Sequence, residues 1–264
     1  MNEAVKVENK KEDKKFFGKF LLIMLGAFLV GIVFGGGMAF MKKMNLADLI
    51  SNTVYNFMIS IAPFVSVVFV LVMGTVLLVT YNIAKKRIAA WDGENEEDYQ
   101  KIDGLLGNVL YALNIGTVIT YFFFAIGFED VAERSRIVDA CYILGFVAAL
   151  GLIIGGQQVI VNLTKVVNPE KKGSVYDMKF IDKWEESCDE AEKILIYKSA
   201  YKTYVMMSLL FVALWIFCVF GNIVFAWGLM PVTMVALLWL CQVCIYTHYS
   251  KYYSKHPEKI GVFK

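Results

Sequence analysis

The chain has 264 residues, 58% of them hydrophobic and 19% charged, with a formal net charge of +2 and a mean hydropathy of +0.56. The net charge by itself is uninformative, and the five cysteines, three of them (Cys218, Cys241 and Cys244) within the last apolar stretch, do not form a disulfide framework. Five stretches contain no Asp, Glu, Lys or Arg: 20–41, 49–84, 104–128, 140–164 and 203–250. A hydrocarbon core about 30 Å thick needs roughly 20 helical residues at about 1.5 Å each, so every stretch is long enough to cross a bilayer.

A basic leader, 1–19, precedes the first span at 20–41. Its 22 uncharged residues exceed the apolar core of a secretory signal, and no small-residue cleavage site follows Gly35-Gly36-Gly37, so it reads as a retained anchor. The second stretch opens on the polar residues Ser51, Asn52, Thr53 and Asn56, which moves the second span to 56–82, with Pro63 as a kink inside it. An inner loop, 83–103, carries the acidic run Asp92, Glu94, Glu96, Glu97 and Asp98, which reads as a solvated face.

The third span, 104–128, contains Asn108, Asn114, Thr117 and Thr120, and the fourth, 140–164, contains Gln157, Gln158 and Asn162. In apolar surroundings such neutral polar side chains are expected to bond between helices; a polar cavity is the alternative. Gly31-x-x-x-Gly35 and Gly151-x-x-x-Gly155 are expected to bring helices close together.

Residues 165–202 form the largest loop. It opens on the turn sequence Asn168-Pro169-Glu170-Lys171-Lys172-Gly173, and Ser174 with Asp177 resembles a capping box. Phe180, Trp184, Cys188, Ala191 and Leu195 then recur at spacings of 4, 4, 3 and 4, an amphipathic helix with one apolar stripe. No Gly or Pro lies between Gly173 and Gly221, so this helix is expected to run unbroken into the fifth span. Its stripe either packs beneath the bundle and on the headgroups or docks a cytoplasmic partner or a second copy; periodicity does not separate the two.

The last stretch, 48 residues, would be about 72 Å long as one helix and must fold back. Gly221-Asn222 is suited to end one helix and Pro231 to begin another, which puts spans five and six at 203–224 and 228–247, followed by a tail at 248–264. The frame P-E-K-x-G at 169–173 recurs at 257–261, as duplication of a two-helix unit would leave it. The expected fold is therefore all-α: six transmembrane helices in three hairpins, with an amphipathic cytoplasmic helix leading into helix five.

With the N-terminus inside, 22 of the 26 Lys and Arg fall on inner segments, and the outer loops hold only Lys42, Lys43, Arg134 and Arg136. The positive-inside bias then puts both termini in the cytoplasm.

Chemical motifs are sparse. Cys241, Cys244 and His248 share a face of the sixth span, and thiolates with imidazole suit Cu(I) or Zn(II). One helix rarely completes such a site and no fourth ligand is identifiable, so no metal and no cofactor is assigned. His248 and His256 are the two histidines, which excludes H-E-x-x-H chemistry, and neither G-x-S-x-G nor a Walker loop occurs. No carboxylate lies within a span, which argues against intramembrane aspartyl proteolysis and against a proton relay.

Gln157-Gln158, Asn168-Pro169-Glu170-Lys171, Asp177, Lys179-Phe180, Lys183-Trp184, Ser187-Cys188-Asp189-Glu190-Ala191-Glu192 and Tyr197-Lys198 together form a recognisable signature. It resembles that of an uncharacterised family of multi-pass membrane proteins of Gram-positive bacteria, a domain of unknown function. The resemblance implies a bacterial plasma membrane and transfers no activity. The expected role is that of a non-enzymatic accessory or interaction protein working through its cytoplasmic loops, with the lipid bilayer and a cytoplasmic protein or a second copy as partners and no nucleic acid. The alternatives are the permease subunit of an ATP-driven exporter and a protein of resistance or immunity to antimicrobial peptides.

Overall fold

The computed structural model describes residues 46–130 and 135–256, together with scattered positions between 17 and 40. Most of the expected leader, ten of the 22 positions of the first span including Gly31 and Gly35, residues 42–45 and 131–134, and the second P-E-K-x-G copy at 257–261 lie outside the described residues. The helices are α1 (Leu46–Ala90), α2 (Glu96–Ile126), α3 (Arg136–Val167), α4 (Phe180–Glu186), α5 (Glu190–Phe225) and α6 (Met230–Lys255), with a 3-10 turn at Gly127–Asp130. All the regular structure among the described residues is helical.

Five of these helices (α1, α2, α3, α5 and α6) are long and apolar enough to cross a membrane. The most apolar window of each is at most 22% buried within the protein, so its side chains are directed outward. In water so large an apolar surface would drive aggregation; in lipid it is solvated.

Each helix outruns its charge-free stretch because caps and backbone bonding, rather than apolarity, decide where it ends. α1 continues through Lys85, Lys86 and Arg87 to Ala90, and α2 begins at Glu96, so the expected loop at 83–103 narrows to 91–95. The Asn95 side chain accepts the N–H groups of Glu97 and Asp98, and Asp92 accepts those of Glu94 and Asn95 at 3.0 and 2.9 Å. The latter two bonds, that from Asn95 foremost, hold the Asp92 carboxyl below the ordinary carboxylate range. Glu97 and Asp98 pair with Lys101 at 2.7 and 3.4 Å on an exposed face, so the acidic run serves a helix start.

Residues 53–203 form one compact unit, and 204–256 belong to another. In the first, α2 turns Ile102, Leu106, Val109, Leu113, Gly116 and Thr120 inward at helical spacing. Of these, Ile102, Leu106, Val109 and Leu113 form a core cluster with Met73 and Ala84 of α1 and Ile153, Ile160 and Val167 of α3. Among the described residues the close approaches are at glycines other than Gly151 and Gly155: a Cβ on Gly116 would stand 2.1 Å from the Phe69 ring, one on Gly145 2.7 Å from Val67, and one on Gly156 2.8 Å from Leu77. Among the described residues nothing lies within 4 Å of a Cβ at Gly151 or Gly155.

In the second unit, Tyr204 of α5 stacks on Tyr246 of α6 with centroids 4.1 Å apart, and Gln242 Nε2 donates to the Tyr204 carbonyl at 3.1 Å. The turn between the helices falls at the expected boundary, α5 ending at Phe225 against an expected 224, but Gly221-Asn222 lies inside the helix rather than ending it. α5 passes through both to Phe225, because Gly221 makes room for the Trp227 ring and Asn222 Oδ1 accepts the N–H of Gly228, which has φ +76°. Pro231 sits in the first turn of α6, as expected.

Candidate functional site

Gln158 is a buried amide near the C-terminal end of α3. Its Nε2 donates to Asn162 Oδ1 at 2.8 Å, which leaves Oε1 free to accept. It does so twice, from the Ser174 hydroxyl at 2.9 Å and from the Val175 N–H at 2.7 Å. The chain that leaves α3 at Asn168 is thereby drawn back onto the helix it left. Lys165 Nζ donates to the Gly173 carbonyl and closes the same turn from the other side. Ser174 and Asp177 are therefore no capping box: Ser174 is bound to Gln158, and α4 starts at Phe180 after Lys179, without a side-chain cap.

A second clamp is built on Lys171, which is buried. Its ammonium donates to the Glu192 carboxylate and, at 3.1 Å, to Cys188 Sγ, and it lies 5.6 Å from the Trp184 ring centroid. Burial opposes its charge most strongly, but the bonds to Glu192 and Cys188 outweigh that, so its pKa is held above the ordinary lysine value of 10.5. Glu192 also accepts the Asp189 N–H at 3.0 Å, while Asp189 accepts that of Glu192 at 2.8 Å. This reciprocal capping box starts a new helix. The expected unbroken helix is thus interrupted at 187–189 even without Gly or Pro, and α4 and α5 are separate elements.

The break divides the apolar stripe. Phe180 and Trp184 are half-buried, with ring centroids 5.5 Å apart, and Cys188 is buried beneath Lys171. Ala191 and Leu195, past the break, are exposed on α5. Tyr176 and Met178 are exposed, and Ile181, although exposed, also lines the cavity described next. Asp177 accepts from Lys183 at 2.5 Å and from the Lys179 N–H at 2.9 Å, and these bonds hold its carboxyl below the ordinary value of 3.8.

Phe180 and Trp184 face a cavity of about 630 Å³ enclosed by α2, α3, α4, Val175 and Ile196. Asn114 and Gln157 also line it, and they bond across α2 and α3 at 3.0 Å. Asn108 is exposed on α2 and is not brought to this group. Cys241 and Cys244 are exposed on α6 and His248 stacks edge-on against Tyr249; among the described residues no three His, Cys, Asp or Glu gather as a metal site.

Sequence reasoning missed Lys171, Glu192 and Gly173. The spacing Asp189-x-x-Glu192 signals a helix start and was legible; the partnership of Lys171 was not. Gly173 has φ +112°, and a Cβ there would lie 2.9 Å from Phe180 Cδ2. Gly173→Ala is expected to lower stability by about 1–3 kcal/mol, read as a lower melting temperature of the purified protein. Gln158→Leu strands the Val175 N–H and should cost about 1–3 kcal/mol by equilibrium denaturation, with Gln158→Glu, which keeps an acceptor, nearer wild type.

Membrane-crossing helices with largely outward apolar faces, joined to a polar segment folded on their ends, define a helical membrane protein. Within that class, the chain belongs to the family described as protein of unknown function (DUF3169), which matches residues 14–250. No curated protein and no solved structure matches it.

Proposed function

We propose that this chain is a non-enzymatic accessory protein of a bacterial plasma membrane, with six spans and both termini in the cytoplasm, that acts by presenting residues 168–189 to a cytoplasmic protein. The observation that carries this reading is the division of labour within the segment. Gln158, Lys165 and Lys171 hold its inner side, while Tyr176 and Met178 stand exposed. Exposed apolar side chains on a clamped, charged segment suit a docking face better than a mobile loop would, because the ordering entropy has been spent before a partner arrives. The positive-inside count supports the cytoplasmic placement.

The reading is tested by placing a photocrosslinking residue at Met178 in growing cells. A discrete protein adduct that disappears with Lys171→Met supports it; adducts to lipid alone sink it. Identification of the adduct as an ATPase subunit would favour the permease alternative.

A further inference from the structure

We propose that the cavity between α2, α3 and α4 binds an elongated amphipathic organic cation, its apolar body lying along α2 and its ammonium group at the Trp184 end. The volume of about 630 Å³ falls within the range of small-molecule sites, and all its walls belong to one compact unit. Its length follows from α2: Asp103 and Asn114 both line it, and eleven residues of helix span about 16 Å. Between them Leu106 and Leu110, with Val161 opposite, supply an apolar wall.

The sign of the ligand follows from the lining. Asp103 and Glu185 are the ionisable side chains that line the cavity, and both are acidic, although basic residues abound on the surrounding segments. Lys171, whose ammonium lies 5.6 Å from the Trp184 ring centroid, is paired with Glu192. Carboxylates beside an indole favour an alkylammonium group, which interacts with ring face and negative charge together. An anionic amphipath would meet repulsion at the same place. At the other end the Asn114–Gln157 pair offers neutral hydrogen-bonding groups to a polar atom of the ligand. The site needs no protein partner, so its failure leaves the docking of residues 168–189 standing, and the reverse.

The test uses the full-length chain in nanodiscs, with empty nanodiscs as the partition background and equilibrium dialysis as the readout. Decyltrimethylammonium is the probe, and decyl sulfate and decyl maltoside, with the same chain length, are the comparisons. Saturable binding of the cation alone is expected, weakened about tenfold by Asp103→Asn combined with Glu185→Gln. Both substitutions are near-isosteric on accessible side chains, and an unchanged melting temperature shows that the fold survives. Leu110→Trp, which fills the cavity, should abolish saturation. Equal binding of decyl sulfate, unchanged affinity in the double variant, or uptake no greater than in empty nanodiscs would overturn the proposal.

Discussion

Lys171→Met is expected to release residues 168–189 from the helix ends and to lower stability by about 2–3 kcal/mol. The Lys171 side chain is 5% exposed and that of Glu192 33%, so removing the ammonium leaves a carboxylate that is only partly hydrated. A fully buried pair would cost about 3–5 kcal/mol when broken this way, and the access of water to Glu192 reduces the figure. The same substitution removes the donor to Cys188 and the cation beside Trp184, so α4 loses its anchor along with the start of α5. Limited proteolysis should then cut within 174–189 at least about tenfold faster, since 1.4 kcal/mol is a factor of ten in the open population. The pH dependence has a definite sign. Because the pKa of Lys171 is raised above 10.5, its contribution is present in full below that value and lost only as pH rises beyond it. The difference between wild type and variant should accordingly stay constant from about pH 6 to pH 9.

Tyr142→Ala is the second large effect, expected at about 3 kcal/mol. Tyr142 is 1% exposed and heads the fully buried side chains by volume. Its ring stacks on Phe124 at 5.1 Å and meets Phe128 edge-on at 5.8 Å, and its hydroxyl donates to the Phe124 carbonyl. Gly127 makes room for it: a Cβ there would stand 2.6 Å from the ring. Truncation of a buried aromatic costs about 3–5 kcal/mol in water-soluble proteins. Where the unfolded reference is itself solvated by lipid, the transfer part shrinks and the lost packing remains. Tyr142→Phe removes the hydroxyl alone and should cost about 0.5–1.5 kcal/mol. Equilibrium unfolding in mixed micelles compares the two, and equal losses would contradict the packing argument.

The membrane-crossing helices were legible because a charge-free run of 20 or more residues reflects the cost of charge in lipid directly. Their ends were not, since Asn95, Ser135 and the Asp189–Glu192 box act through backbone N–H groups whatever the hydropathy. Glycine spacing did not mark the close approaches, for a related reason. Gly151 and Gly155 fit the small-residue pattern, but the approaches among the described residues are set by where Phe69, Val67 and Leu77 project, and these select Gly116, Gly145 and Gly156. The polar residues Asn114, Gln157, Gln158 and Asn162 were visible as unusual company for apolar neighbours. That Gln158 receives the returning chain while Gln157 reaches across to α2 depends on tertiary contacts between residues 16 to 43 positions apart, which no periodicity encodes. The apolar stripe breaks because the helix that carries Phe180 and Trp184 ends at Glu186, and Ala191 and Leu195 belong to the next one.

The most direct test of the whole account is alkylation by a membrane-impermeant maleimide in right-side-out and inverted vesicles, using two single-cysteine chains. One keeps Cys188 alone and the other carries Ile181→Cys with the five native thiols replaced. The account predicts rapid labelling of position 181 in inverted vesicles only, and protection of Cys188 in both until Lys171→Met exposes it. Labelling of position 181 from the outside, or of Cys188 as fast as position 181, would contradict it.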